Sequence, residues 1–243
     1  MKSDPFDIVR EFEAAICAYT GAPYCITVNS CTSALFLALK WHEINSKGRT
    51  EYEELYGAPA TVEIPRRTYV SVAQQVKIAG FNLAFRDEDW RGSYRLAPFD
   101  IWDSARWFTS NLFGGMCFDL DHTEGFVCVS FHSLKTLGLK RPKPIELMDE
   151  TMDRGTLWDI EQGGAILHNS PEADRWFRRA RFDGRSEGIA PKDDTFDMIG
   201  WHMYLNPSSA RLGLELLAQL PRHNDPLPND PYPDLSLAPV FQR

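Results

Sequence analysis

A chain of 243 residues, 43% hydrophobic and 25% charged, is long enough to bury one sizeable core. Its 26 basic against 34 acidic residues give a formal net charge of −8, with no global positive field to hold a nucleic-acid backbone. No apolar run approaches the ~18–20 residues of a membrane span, and the charged start Met1-Lys2-Ser3-Asp4 speaks against an export signal.

Residues 5–20 place Ile8, Phe12, Ala15, Ile16 and Tyr19 at helical spacing, and Gly21 suits a helix C-cap. Tyr24–Val28 reads as a short strand and Thr32–Trp41 as a helix with an apolar body. Strand is then expected at Thr61–Ile64, helix at Val70–Ala79 and strand again at Phe81–Phe85. Phe99–Trp102, Gly115–Phe118 and Phe126–Phe131 are further candidates for buried strands. Residues 136–162 lose this rhythm and read as an inserted excursion or flap. Strand resumes at Ala165–Leu167, followed by a basic helix at Pro171–Phe182 and a last helix at Pro207–Leu220. Five prolines after Pro221 (Pro226, Pro228, Pro231, Pro233 and Pro239) predict an extended tail over 221–243. The five cysteines (Cys17, Cys25, Cys31, Cys117 and Cys128) are odd in number and form no CxxC pair. They read as reduced thiols of a cytoplasmic protein, and neither a zinc site nor a disulfide frame is expected.

Three constellations could carry chemistry. Val28-Asn29-Ser30-Cys31-Thr32-Ser33 is a strand, a polar turn and the start of a helix. Free amides and hydroxyls there suit a phosphate, and they suit a plain helix cap equally. Lys135 follows the apolar strand Phe126–Phe131, where partial desolvation makes an amine nucleophilic; a solvated surface lysine is the ordinary alternative. Asp103 stands at the end of the Phe99–Trp102 strand, where it could hold a protonated ring nitrogen or cap the next turn. The arginines Arg175, Arg178, Arg179, Arg181 and Arg185 could grip a diphosphate. Glu172, Asp174 and Asp183 beside them favour a balanced, solvated face.

From about Phe12 to Leu220 the order of these segments resembles the DegT/DnrJ/EryC1/StrS sugar aminotransferases, fold-type I pyridoxal-phosphate enzymes. Asn29-Ser30-Cys31-Thr32-Ser33-Ala34-Leu35 resembles the family's phosphate turn S-G-T-x-A-L, with Cys31 where glycine is commoner. Thr68-Tyr69-Val70-Ser71 resembles the segment whose aromatic residue stacks on the cofactor ring. Trp102-Asp103-Ser104-Ala105-Arg106 falls on E-D-A-A-Q, so Asp103 would pair with the pyridine nitrogen and Arg106 would replace the glutamine at the ring hydroxyl. Ser130-Phe131-His132-Ser133-Leu134-Lys135 fits S-F-H-x-x-K, implying Lys135 as the Schiff-base lysine and Ser130 as a phosphate ligand. Gln162-Gly163-Gly164-Ala165 resembles E-G-G-A, and Gly200-Trp201-His202 resembles G-Y-N, which puts His202 where an asparagine reaches the phosphate of a neighbouring subunit.

The resemblance implies a three-layer α/β/α sandwich over 1–220 with a mostly parallel sheet of about seven strands. It implies pyridoxal 5′-phosphate held by Thr32, Ser33, Tyr69, Asp103, Arg106, Ser130 and His202, with Lys135 catalytic and no metal. An amino group, by resemblance from glutamate, would pass to a keto group on a nucleotide-linked sugar or similar small molecule, in a homodimer with shared sites. Family members that act as dehydratases carry histidine at the lysine position, and Lys135 argues against that branch. The chain ends near the point where family members begin a smaller C-terminal domain, so a short form is expected. A protein that binds the cofactor without transaminating, or one that works as a binding or interaction subunit, is the alternative.

Overall fold

The computed structural model describes residues 4–45, 59–116, 124–142 and 158–242. Helix α1 (Asp7–Thr20) buries Val9, Phe12 and Ile16 along one face and ends at Gly21, whose left-handed backbone (φ +76°) returns its N–H to the Cys17 carbonyl. Strand β1 (Tyr24–Val28) leads into α2 (Cys31–Asn45), buried along most of its length. β2 (Thr61–Pro65) and β3 (Asn82–Arg86) pair in parallel through the crossover helix α3 (Val70–Ile78). Then follow β4 (Tyr94–Arg95), β5 (Ile101–Asp103), β6 (Phe126–Ser130), β7 (Lys140–Pro142), β8 (Trp158–Ile160) and β9 (Gly164–His168). Two further α-helices follow β9, and short 3-10 turns lie at Pro191–Asp193, Leu235–Leu237 and Pro239–Phe241. α4 (Pro171–Ala180) starts where the Ser170 hydroxyl accepts the Ala173 N–H, and α5 (Pro207–Leu217) where the Asn206 side chain accepts that of Ser208.

Among the described residues the central sheet has five strands in the order β1-β9-β6-β5-β4. Its side chains alternate between two cores. On one face Ile26, Phe126, Cys128 and Ile166 meet α2, α3 and α4; on the other Cys25, Val127, Val129 and Leu167 meet α1 and α5. The α/β class therefore stands, with helices on both faces.

The expected mostly parallel sheet of about seven strands differs from the sheet formed by the described residues. β9 runs antiparallel to both of its neighbours, β4 runs antiparallel to β5, and only β5 and β6 are parallel within this sheet. β4 and β5 are joined by residues 96–100 alone, too few for a parallel crossover. β2 and β3 form a separate pair that meets the main sheet at one bridge, Glu63 to Ala97.

Gly115 and Met116 lie in hydrogen-bonded turns rather than in a strand, and residues 117 and 118 lie outside the described residues. The ends of the expected excursion pair as the antiparallel strands β7 and β8, while 143–157 falls outside the described residues. The arginine-rich helix faces inward more than its charge suggested. Arg178 and Arg181 both bond the buried Glu13, and Phe177 packs against Trp41 and Phe126.

Candidate active site

The carboxyl ends of β5 and β6 and the N-terminus of α2 converge on a cavity of about 400 Å³, an arrangement typical of ligand crevices in α/β sheets. The α2 start is folded tightly. Ser30 Oγ accepts the Ser33 N–H at 3.1 Å, and Ser33 Oγ donates to Asn29 Oδ1 at 2.6 Å. Gly164 of β9 permits this turn to lie against the sheet, because a Cβ there would stand 2.5 Å from the Cys31 nitrogen. Thr32 Oγ1 and Ser71 Oγ lie 3.0 Å apart, and both residues line the cavity. A helix N-terminus with Ser30, Thr32, Ser71 and Ser130 hydroxyls nearby is a donor set for an anion.

Asp103 lines the cavity and is 5% exposed. One carboxylate oxygen accepts the Tyr94 hydroxyl at 2.7 Å and the other the Ala105 N–H at 2.9 Å. Burial pushes the Asp103 carboxyl above its ordinary range, against the lowering effect of those two donors and of Lys135. Lys135 follows β6 in a turn closed by its own N–H on the His132 carbonyl. Burial, and then the Arg106 charge, hold its amine below the usual lysine range, while Asp103 acts in the opposite direction. The arrangement offers a nucleophilic amine and a buried carboxylate across one cavity.

Of the residues expected at the site, Thr32, Tyr69, Asp103, Arg106, Ser130 and Lys135 line this cavity. Tyr69, just before α3, is 58% exposed at its mouth. Ser33 does not line it, its hydroxyl being spent on Asn29 within the turn. His202 lies elsewhere, its ring 71% exposed and paired with Asp183 Oδ2 at 2.9 Å. Arg106 binds the C-terminal segment: Nη1 donates to Asp230 at 2.6 Å, and Nη2 to the Pro228 carbonyl. Asp230 and Tyr232 thereby become lining residues that the sequence did not single out. So do Trp90, which stacks on Tyr232, and Ser71. Tyr94 was also missed; it supports Asp103 from β4.

Residues 4–98 match the DegT/DnrJ/EryC1/StrS aminotransferase family. Over 62 residues, 26% of this chain and 15% of the relative, the sequence is 39% identical to the spore coat polysaccharide biosynthesis protein SpsC of Bacillus subtilis (strain 168). The fold is similar to that of PseC from Helicobacter pylori, an aminotransferase of pseudoaminic acid biosynthesis. That match has TM-score 0.60 and 16% identity, and covers 90% of this chain and 59% of that one. It is also similar to a DegT/DnrJ/EryC1/StrS aminotransferase from Brucella abortus, with TM-score 0.57 and 20% identity over 88% of this chain and 59% of that one. The chain thus spans about three-fifths of the solved proteins it resembles. Residues 4–98 thus match the DegT/DnrJ/EryC1/StrS aminotransferase family, in a chain whose fold is similar to that of solved aminotransferases.

Proposed function

We propose that the protein is a pyridoxal-phosphate-dependent aminotransferase that moves an amino group from glutamate to a keto group on a nucleotide-linked sugar or similar small molecule. The observation that carries this reading is the convergence of Lys135, Asp103 and the α2 N-terminus on one cavity. The donor set fits the cofactor part by part. The hydroxyls of Thr32 and Ser130 and the helix N-terminus suit a phosphate, the buried Asp103 carboxylate suits a pyridine nitrogen, and Lys135 suits an aldehyde carbon. When bound, pyridoxal phosphate supplies an electron-withdrawing ring that stabilises negative charge developing on the amino carbon.

The chain's own residues supply the rest. Asp103, fixed by Tyr94 and the Ala105 N–H, would hold a negative charge toward the ring nitrogen of the bound cofactor. Tyr69 offers a ring face at the mouth, where a flat ligand can stack. Burial and the Arg106 charge hold the Lys135 amine below the usual lysine range, which favours its Nζ as a nucleophile and as a proton carrier. Arg106 adds positive charge at the same end. His202 is exposed outside its own cavity, and we assign it to the phosphate of a second copy in a homodimer with shared sites. The described cysteines are unpaired thiols, as suits a cytoplasmic setting, and no described helix is long and apolar enough to cross a membrane.

The test is spectroscopic. Protein mixed with pyridoxal phosphate should gain a visible absorbance band, and borohydride should fix the cofactor to Lys135. Lys135→Ala should do neither, and glutamate should bleach the wild-type band. A colourless wild-type protein from which borohydride recovers no labelled Lys135 would overturn the reading.

A further inference from the structure

The Pro-rich C-terminal segment runs past the cavity between two anchors. At the first, the Ser110 N–H donates to the Arg222 carbonyl at 2.9 Å and the Asn224 N–H to Thr109 Oγ1 at 3.0 Å. Trp107 Nε1 adds a bond of 2.9 Å to the Asn224 carbonyl. At the second, Leu235 is buried in the core and its N–H donates to the Arg66 carbonyl at 2.9 Å. Between these anchors none of residues 225–233 is buried. Pro226, Pro228, Pro231 and Pro233 keep this span extended and bring no N–H that needs a partner.

Arg106 holds the middle of the span. Its carbonyl accepts the Leu227 N–H at 2.8 Å, Nη1 donates to Asp230 at 2.6 Å and Nη2 to the Pro228 carbonyl. Arg106 is buried but Asp230 is 63% exposed, so water and salt reach the ion pair from outside, and such pairs are weak. The other contacts are light. Asn229 Nδ2 donates to the Trp90 carbonyl at 2.5 Å, and Tyr232 stacks on Trp90 at 6.2 Å between ring centroids. Pro226 lies against Gly92, where a Cβ would stand 2.9 Å from the proline ring. Few buried contacts and a solvated ion pair are the properties of a segment that opens locally while the core stays folded. On its inner side, Asp230 and Tyr232 line the same cavity as Lys135.

We propose that residues 225–233 are a strap over the cavity, latched by Arg106, and that its opening sets the size of ligand that reaches Lys135. Closed, the strap bounds a cavity of about 400 Å³. With Asp230 released from Arg106, the wall made by Asp230 and Tyr232 swings out about the anchors at Asn224 and Leu235, and the cavity admits a larger ligand. Small reactants enter with the strap in place. The gate itself does not rest on the aminotransferase reading. Joined to that reading, it bears on the larger, sugar-linked reactant and leaves glutamate unaffected.

The test uses the full chain and Asp230→Ala, which removes the latch carboxylate from an exposed position and leaves both anchors intact. Amide exchange followed by NMR should quicken roughly threefold at Leu227, the order of one surface ion pair, and stay unchanged at Leu235. Added salt should quicken exchange at Leu227 in wild type and not in Asp230→Ala. Lys135 is then alkylated with cyanoborohydride and either formaldehyde or naphthaldehyde, neutral probes of one chemistry and two sizes, and read by peptide mass spectrometry. The ratio of the naphthaldehyde rate to the formaldehyde rate should rise in Asp230→Ala by a similar factor. Taking the ratio cancels any change in the reactivity of the amine itself. Equal exchange at Leu227, or an equal ratio, would overturn the gate and make the segment a fixed wall. Quickened exchange at Leu227 and Leu235 together would overturn the anchored strap. Neither readout uses pyridoxal phosphate, so a failed gate leaves the cofactor reading standing, and a failed cofactor capture leaves the gate standing.

Discussion

Tyr94 holds Asp103 from the neighbouring strand. Its hydroxyl donates to the carboxylate at 2.7 Å and lies 2.6 Å from the Thr68 hydroxyl. β4 and β5 pair with Tyr94 directly opposite Asp103, so the contact is built into the sheet register rather than into a loop. All three residues are buried, and the chain Thr68-Tyr94-Asp103 fixes the carboxylate in a site where an unpartnered charge would be costly.

Tyr94→Phe should therefore act on Asp103 at a distance from any ligand. The Tyr94 hydrogen bond lowers the Asp103 pKa against the raising effect of burial, so its removal raises that pKa further. Pyridoxal phosphate binding that needs the ionised carboxylate should then fail at a higher pH than in wild type. Absorbance titrations across the acid range should show this limb displaced upward, with a stability loss of about 1 kcal/mol in urea from the broken bond. An acid limb at the wild-type position would show that Tyr94 does not set the state of Asp103.

Gly164→Ala should damage the anion end of the cavity. The added Cβ would lie 2.5 Å from the Cys31 nitrogen and 2.6 Å from the Ser30 carbonyl carbon, both backbone atoms that cannot swing aside. Either β9 or the α2 turn must move, at a cost of about 1–3 kcal/mol for overpacking. Urea unfolding should report that loss, and titration with inorganic phosphate should show weakened binding from the displaced N–H groups. Unchanged phosphate affinity would mean that the turn does not form the anion site.

What the sequence disclosed follows from how local each feature is. The α2 turn, Asp103 and Lys135 sit at the ends of short apolar strands, where a periodicity break and a polar cluster mark the site within a few residues. Asp230 and Tyr232 reach the same cavity from 124 residues beyond Arg106 in the chain, as measured at the Arg106–Asp230 bond. Nothing in their own neighbourhood except prolines announces that path. Sheet order was hidden for the same reason. β9 reads as a plain apolar strand whichever direction it runs, and its antiparallel pairing is set by partners far away in sequence. Ser33 matched its motif, yet local geometry spends its hydroxyl on Asn29.

Lys135 should respond to Asp230 without touching it. Burial and Arg106 lower the Lys135 pKa, and the Asp230 charge raises it. Asp230→Asn removes the raising influence and leaves the Arg106 charge less balanced, so the Lys135 pKa should fall further. The rate at which pyridoxal phosphate is captured depends on the free amine, so its rise with pH should be centred at a lower pH in Asp230→Asn than in wild type. Arg106→Gln should move the same midpoint upward. Midpoints that coincide in all three proteins would exclude electrostatic coupling between the C-terminal segment and the amine.

His168 links stability to acid. It is fully buried in β9, stacked on Tyr24 at 5.4 Å, and burial together with the Arg178 charge lowers its pKa to about 3 from an ordinary 6.5. Above 6.5 both folded and unfolded chains hold it neutral, and it imposes no pH dependence. Below 6.5 the unfolded chain takes up a proton that the folded chain refuses, so stability falls progressively as pH drops toward the folded value. The loss should reach about 2 kcal/mol by about pH 5. His168→Phe keeps an aromatic ring against Tyr24 and Phe177 and removes the titrating group. Urea midpoints measured from neutral to mildly acidic pH should fall less steeply for His168→Phe than for wild type, and parallel slopes would exclude His168 as their source.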